Sequence, residues 1–214
     1  MRTYVSILFS FFLFNFKKNK QFMKKLILII FILILNLSCG SQQKSTTSTT
    51  PKPPAVPETQ IPSPTIDAQG NLIGITAKSN FLEAPFNDWF TFNYENYESN
   101  TETITSLKPL LKNVTIKAFM GTWCGDSQEQ TPIFYKILDA ADFNFKNLEM
   151  IAVDRTKKTP DNLQEGLNII RVPTFIFYKN GIEIGRFVEY PRESVETDIL
   201  KIVSGKSYKH SYEN

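Results

Sequence analysis

The sequence predicts an α/β domain built on a central mixed sheet, and three observations carry that reading. Val114–Met120 is rich in β-formers, lacks Gly and Pro, and runs as a strand into a turn at Cys124. Beyond that turn, Ile133, Phe134, Ile137, Leu138 and Ala141 recur at helical spacing, so Gln128–Ala141 reads as a helix. Later, Phe175–Tyr178 and Ile182–Val188 flank Asn180-Gly181, a dipeptide suited to a tight hairpin. A strand–helix–strand unit gives parallel pairing and a hairpin gives antiparallel pairing, hence a mixed sheet.

The elements follow in order. Ile66–Ile75, centred on Gly70-Asn71, suggests a small hairpin. Phe81, Phe86, Trp89, Phe90, Phe92, Tyr94 and Tyr97 form a dense aromatic stretch. It reads as the packing of an N-terminal strand, with a partner-binding face as the alternative. Thr101–Leu111 reads as the first helix, capped by Thr101 or Thr103. Pro132 interrupts the helix that follows Cys124, at a cost of about 3 kcal/mol unless a kink is built in. Leu148–Val153 reads as a strand ending at Asp154. Asp161–Leu167 suggests a short helix capped by Thr159, with Pro160 at its first position. Val195–Val203 is the last helix, and 207–214 is a polar tail holding His210.

The front of the chain has a different character. Residues 1–39 hold six Lys or Arg and no Asp or Glu. The apolar runs Tyr4–Phe16 and Leu26–Leu35 are short of the roughly 20 residues that span a bilayer. Lys24-Lys25, the second run and then Leu37-Ser38-Cys39-Gly40 read as an export signal. The small residues around Cys39 resemble a bacterial lipoprotein box, which implies lipid modification of Cys39 and a membrane-anchored envelope protein facing the periplasm. Asn36 departs from the usual Leu of that box. Met23 precedes Lys24-Lys25 and is an alternative start. Residues 40–65, rich in Ser, Thr, Gln and Pro, read as a disordered tether. The domain organisation is therefore an export segment over 1–39, a tether over 40–65, an extension over 66–100, the α/β domain over 101–206, and the tail.

Charge excludes one class. The chain is formally +3, but residues 40–214 carry 18 basic and 21 acidic side chains, a net −3. The basic excess belongs to the export segment and supports no nucleic-acid reading. One His and a Cys distant from it form no metal-binding constellation, and no cofactor motif stands out.

The chemistry-bearing motif is Trp123-Cys124-Gly125-Asp126-Ser127. A cysteine at a helix start lies where free backbone N–H groups favour a negative charge, so its thiolate is stabilised. The second anchor is Arg171-Val172-Pro173-Thr174-Phe175, with Pro173 lying 49 residues beyond Cys124. Together with the matching strands and Pro132, these motifs resemble the thioredoxin family over roughly residues 110–204. The resemblance implies a three-layer sandwich with helices on both faces of the sheet. It also implies a nucleophilic sulfur at Cys124 bordered by Trp123. Pro173 is expected to be cis and to face that sulfur, with Val172 and Thr174 beside it as a clamp for extended peptides.

The sequence departs from the family pattern at named positions. Ser127 stands where the family has the resolving cysteine, and Asp126 where it has Pro. Ala118 replaces a buried Asp that serves the resolving step, and Glu189 stands near a Gly of the loop bordering the groove. Asp126 complements the helix dipole yet adds a negative charge beside Cys124. A Ser127 hydroxyl donating to the sulfur would stabilise the thiolate. If Cys39 carries lipid, Cys124 is the one free thiol of the mature chain. The sequence thus points to monothiol disulfide exchange with envelope proteins that bear thiols or disulfides, completed by an external thiol or reductase. A peptide- or client-binding module without turnover is the alternative.

Overall fold

Why Val114–Met120 forms the central strand is visible in its alternation. Val114, Ile116, Ala118 and Met120 are buried against the helices, while Phe119 is buried on the opposite face. The computed structural model describes residues 63–213. Its strands are β1 (Thr65–Ile66), β2 (Leu72–Thr76), β3 (Val114–Met120), β4 (Leu148–Ala152), β5 (Thr174–Lys179) and β6 (Ile182–Val188). Its α-helices are α1 (Lys78–Phe81), α2 (Asn87–Asn96), α3 (Thr101–Leu110), α4 (Gly125–Ala140) and α5 (Val195–Val203). The expected export segment, Cys39 and the tether up to residue 62 lie outside the described residues.

The strands form one mixed sheet in the order β1-β2-β4-β3-β5-β6. β3 and β4 are parallel, with Ala118 opposite Met150, and the remaining pairs are antiparallel. The expected α/β class and central mixed sheet are borne out. Asn180 and Gly181 take positive φ values of 53° and 78°, which makes the tight β5–β6 turn. The Ala84–Pro85 and Val172–Pro173 peptides are cis.

The main core lies on one face of the sheet. Phe134 of α4 stacks on Phe175 of β5 at 4.1 Å, and Phe175 stacks on Phe187 of β6 at 5.3 Å. Ile104 and Leu107 of α3 and Ile199 and Ile202 of α5 join the same core. The opposite face buries Phe119, Ile151, Val153 and Ile176. Its cover is a helix-free segment contributing Leu163, Leu167 and Ile169, so this third layer is irregular chain.

Four local expectations need correction. The aromatic stretch over 81–97 contains no strand; most of it is α2, and Phe86, Phe90 and Tyr94 recur every fourth residue along it. Phe81, Phe86 and Phe90 are buried, with Phe90 flanked by Phe81 at 5.7 Å and Tyr94 at 6.0 Å. Aromatic composition had favoured a strand, and tertiary packing selects the helical spacing. Asp161–Leu167 is turns: Thr159 Oγ1 does accept the Leu163 N–H at 3.0 Å, but Asn162 and Gly166 take φ of 52° and 74° and stop the helix. The cap of α3 is Asn100, whose side chain accepts the Thr103 N–H at 2.9 Å, rather than Thr101 or Thr103. Thr65, assigned to the tether, already belongs to β1.

The polar tail is also part of the folded body. Arg192 donates through its guanidinium to the carbonyls of Lys209, His210 and Glu213 at 3.1–3.4 Å. Ser211 Oγ donates to the Tyr190 carbonyl at 2.7 Å, and Tyr208 OH donates to Asp198 at 3.2 Å. Burial pushes the Asp198 carboxyl above its ordinary range despite the Arg192 N–H and Tyr208 bonds it accepts.

Two interactions tie the N-terminal extension to the helices. Pro132 has no N–H, so the Gln128 carbonyl of α4 lacks its helical donor. Asn93 Nδ2 of α2 supplies that bond at 3.1 Å. Glu196 of α5, almost fully buried, accepts from the Tyr97 hydroxyl and, at 3.0 Å, from the Asn100 N–H. Burial alone would raise the Glu196 carboxyl, but those hydrogen bonds hold it below its ordinary 4.5. Glu196→Ala leaves two inward-facing donors unpaired and is expected to cost about 2–4 kcal/mol in urea unfolding at pH 7. Because the folded-state value is depressed, this stabilisation is present above pH 4.5 and is lost as pH falls through the lower folded value. The gap between wild type and variant should therefore narrow in acid.

Candidate active site

The sequence between β3 and α4 turns sharply, and the turn presents Cys124 at the mouth of the helix. Cys124 is the N-cap of α4, with extended backbone at φ −103° and ψ 124°. Its carbonyl already accepts the Gln128 N–H at 2.9 Å, while its own N–H donates to the Gly121 carbonyl at 2.9 Å. The first-turn N–H groups of Gly125, Asp126 and Ser127 have no acceptor within the helix, so they favour negative charge near the sulfur. Cys124 Sγ lies 3.3 Å from the Val172 carbonyl and 3.9 Å from Asp126 Oδ2. As a thiol, it donates to one or the other.

Val172 is buried and Pro173 follows it, so the structure brings the two sequence motifs together at the sulfur. Thr174 opens β5 and is also buried; its hydroxyl donates to the Arg171 carbonyl at 2.7 Å and so braces the loop from inside. Trp123 borders the sulfur as the next residue. Its indole N–H donates to the Val153 carbonyl at 2.8 Å, and the Arg155 guanidinium stands 5.3 Å over its ring.

Ser127 behaves differently from the sequence expectation. It is fully buried, and its Oγ accepts the Gly121 N–H at 3.1 Å. The hydroxyl closes the strand–turn–helix junction instead of contacting the Cys124 sulfur. Nor does this position lie on the surface. Ala118, where the family keeps a carboxyl group, is fully buried in the apolar core.

Gly121, Thr122 and Tyr212 of the site carry no motif that sequence reasoning detected. A Cβ at Gly121 would fall 2.5 Å from Cε2 of the Trp123 ring. The buried Thr122 Oγ1 accepts the Leu72 N–H at 3.1 Å, and the Thr122 carbonyl accepts from Gln128 Nε2 at 2.7 Å. The loop after β6 contributes Glu189, whose N–H donates to the Pro173 carbonyl at 2.7 Å while its φ is 66°. A positive φ suits Gly, the residue the family pattern places near this position. Arg171 pairs with Glu189 at 3.1 Å and stacks over the Tyr212 ring at 3.8 Å, and the Tyr212 hydroxyl donates to Glu189. Nothing in the sequence of the tail signalled Tyr212.

A cysteine at a helix N-terminus, in contact with a Val-Pro loop beside a mixed sheet, defines a thioredoxin-like domain. The family model described as Thioredoxin matches residues 88–201, and the chain belongs to that family. Thioredoxin of Ictalurus punctatus is 31% identical over 90 residues, covering 40% of this chain and 80% of that one. Thioredoxin of Gallus gallus is 27% identical over 97 residues, covering 45% and 87%. Among solved structures, a Pseudomonas aeruginosa protein of unknown function is similar at 17% identity and a TM-score of 0.47, covering 62% of this chain and 93% of that one. Family membership and the two thioredoxin relatives support a general thiol–disulfide redox role.

Two substitutions test the geometry. Ser127→Ala removes the acceptor of the Gly121 N–H and is expected to cost about 1–2 kcal/mol in thermal unfolding. Because Ser127 does not touch the sulfur, the alkylation rate of Cys124 in that variant should stay within about twofold of wild type. Gly121→Ala forces the Trp123 ring to move; about 1–3 kcal/mol of destabilisation and a changed tryptophan emission spectrum are expected.

Proposed function

We propose that this chain carries out thiol–disulfide exchange as a monothiol in the bacterial cell envelope. The observation that carries the reading is Cys124 Sγ at the α4 N-terminus, 3.3 Å from the Val172 carbonyl, with Ser127 in the resolving position. The Cys124 thiolate attacks one sulfur of a substrate disulfide. A Cys124–substrate S–S bond forms, the substrate S–S bond breaks, and the departing sulfur leaves as a thiolate that takes up a proton. Among the described residues Cys124 is the one cysteine, so none of them offers a second sulfur to resolve the adduct. An external thiol, or a freed thiol of the same client, attacks the mixed disulfide and returns Cys124 to its starting state. Such a cycle isomerises disulfides or releases small-thiol adducts without net reduction by this chain alone.

Val172 and Pro173 form the wall against which an extended client lies, Thr174 braces that wall from inside, and Trp123 precedes the sulfur-bearing residue at its border. Asp126 adds negative charge at 3.9 Å and Ser127 organises the turn. The partners are envelope proteins with thiols or disulfides, together with the resolving thiol or reductase. The location rests on the sequence of residues 1–39: an export signal, lipid at Cys39, and a tether that holds the domain on the periplasmic side. Labelling with a fatty-acid analogue should mark wild type and fail to mark Cys39→Ala; equal labelling overturns the anchor.

The chemistry has its own test. Wild type should form a 1:1 adduct with a disulfide probe through Cys124 and fail to reduce insulin catalytically. Ser127→Cys supplies the resolving sulfur; an internal 124–127 disulfide and measurable insulin reduction with a dithiol reductant are expected. An adduct that persists in Cys124→Ala, or peptide binding that is indifferent to that change, replaces exchange with a non-catalytic client-binding module.

A further inference from the structure

The tail meets the loops beside the active site through Tyr212 and Ser211. Tyr212 touches both residues that bracket the peptide wall: its hydroxyl donates to Glu189, and its ring lies 3.8 Å beneath the Arg171 guanidinium. Arg171 directly precedes Val172, whose carbonyl is 3.3 Å from the sulfur. Glu189 grips the other end, its N–H on the Pro173 carbonyl at 2.7 Å. Arg171 Nη1 reaches both Glu189 oxygens, at 3.1 and 3.3 Å. Three side chains from three separate segments thus close on one another beside Val172–Pro173.

The surroundings show what this closure builds. Ile170, Tyr190 and Tyr212 are all exposed, at 63%, 46% and 36%, and the two tyrosine rings meet edge to face at 5.8 Å. Ile170 and Tyr190 are the chain neighbours of Arg171 and Glu189, so fixing the ion pair also fixes them. The Tyr212 backbone is held in turn, its N–H donating to His210 Nδ1 at 3.2 Å. Left alone, an exposed Arg–Glu pair contributes little order. Here the aromatic ring beneath the guanidinium and a hydroxyl on the carboxylate brace the pair from two sides.

We infer that Tyr212 is a positioning residue for the client groove: it holds Arg171 and Glu189 across Val172–Pro173 and, with Ile170 and Tyr190, lets Cys124 favour disulfides carried on extended polypeptide with aliphatic or aromatic side chains beside the cysteine. The inference rests on the exchange chemistry proposed above and adds the client class. Tyr212 does not touch the sulfur, so it acts on which disulfides are accepted and leaves the intrinsic reactivity of the thiol alone.

The test compares two disulfides with the same leaving group. One is dipyridyl disulfide; the other is an extended peptide with Leu and Phe flanking a cysteine joined to thiopyridine. In each, Cys124 forms an S–S bond to the pyridyl-bearing or peptide sulfur and pyridinethione departs, read by its absorbance. Tyr212→Ala should slow the peptide reaction about tenfold and leave the dipyridyl rate within about twofold. Tyr212→Phe keeps the ring under Arg171 and should recover part of the loss. A melting temperature for each variant separates groove loss from unfolding, and Arg171→Gln, which keeps the tail, should reproduce the Tyr212→Ala pattern. Equal slowing with both probes, no change with either, or a faster peptide reaction overturns the inference. If unaltered chain forms no adduct with either probe, the exchange reading falls and this inference with it; if it reacts with both and the variants match it, only the inference falls.

Discussion

The stack of Phe134 on Phe175 is the contact from which the rest of the site takes its position. It fastens α4 to β5 in the middle of the core. One element carries Cys124 at its start and the other begins just after Pro173, so the spacing of sulfur and peptide wall is set by apolar packing well behind them. Protein interiors are packed as densely as organic crystals, and small changes in volume there are transmitted. Polar contacts at the surface then refine an approach that the aromatic core has already fixed. Phe187 stacked on the far side of Phe175 extends the same column to β6 and hence to the loop that bears Glu189.

The site itself separates two functions that one residue often combines. Cys124 caps the helix beside the Val172 carbonyl, where the proposed nucleophile acts, and Ser127, one turn further in, supplies structure. The hydroxyl takes the Gly121 N–H, which lies at the strand end and would otherwise be buried beside an apolar face. A sulfur in that place is a poorer acceptor, so the serine has a physical reason to be there beyond the absence of a thiol. Ala118 in the core agrees with this: its methyl group offers no proton acceptor at that depth.

Much of this was legible in the sequence. β-former composition placed β3 and the hairpin signal placed β6 to the residue, and the Asn180-Gly181 pair announced the turn between β5 and β6 because a left-handed backbone joins two twisted strands tightly. Cys124 and Val172–Pro173 were legible as a pair because, at this spacing, the two motifs resemble those of a family in which they face each other. The aromatic helix was not, since β-type composition and helical spacing gave opposite answers and only the partners Phe81 and Tyr135 decide between them. The segment after Asp154 misled in the opposite sense, a good helix start followed by residues that adopt positive φ. Tyr212 was invisible: its importance lies in an encounter with Arg171 and Glu189, and no local pattern encodes a meeting between segments so far apart in the chain.

The hairpin of β1 and β2 has a consequence for colloidal behaviour. β2 pairs with β4 through Gly74, Ile75 and Thr76 and so covers a strand that would otherwise present a row of free N–H and C=O groups. β1 then ends the sheet with two residues, too short a template for another chain to extend. At the far side, Arg186 and Glu183 put paired charges on β6. Copies of a chain meet edge to edge more often as they crowd, and a two-residue strand at one edge with paired charges at the other keeps them from knitting into a continuous sheet.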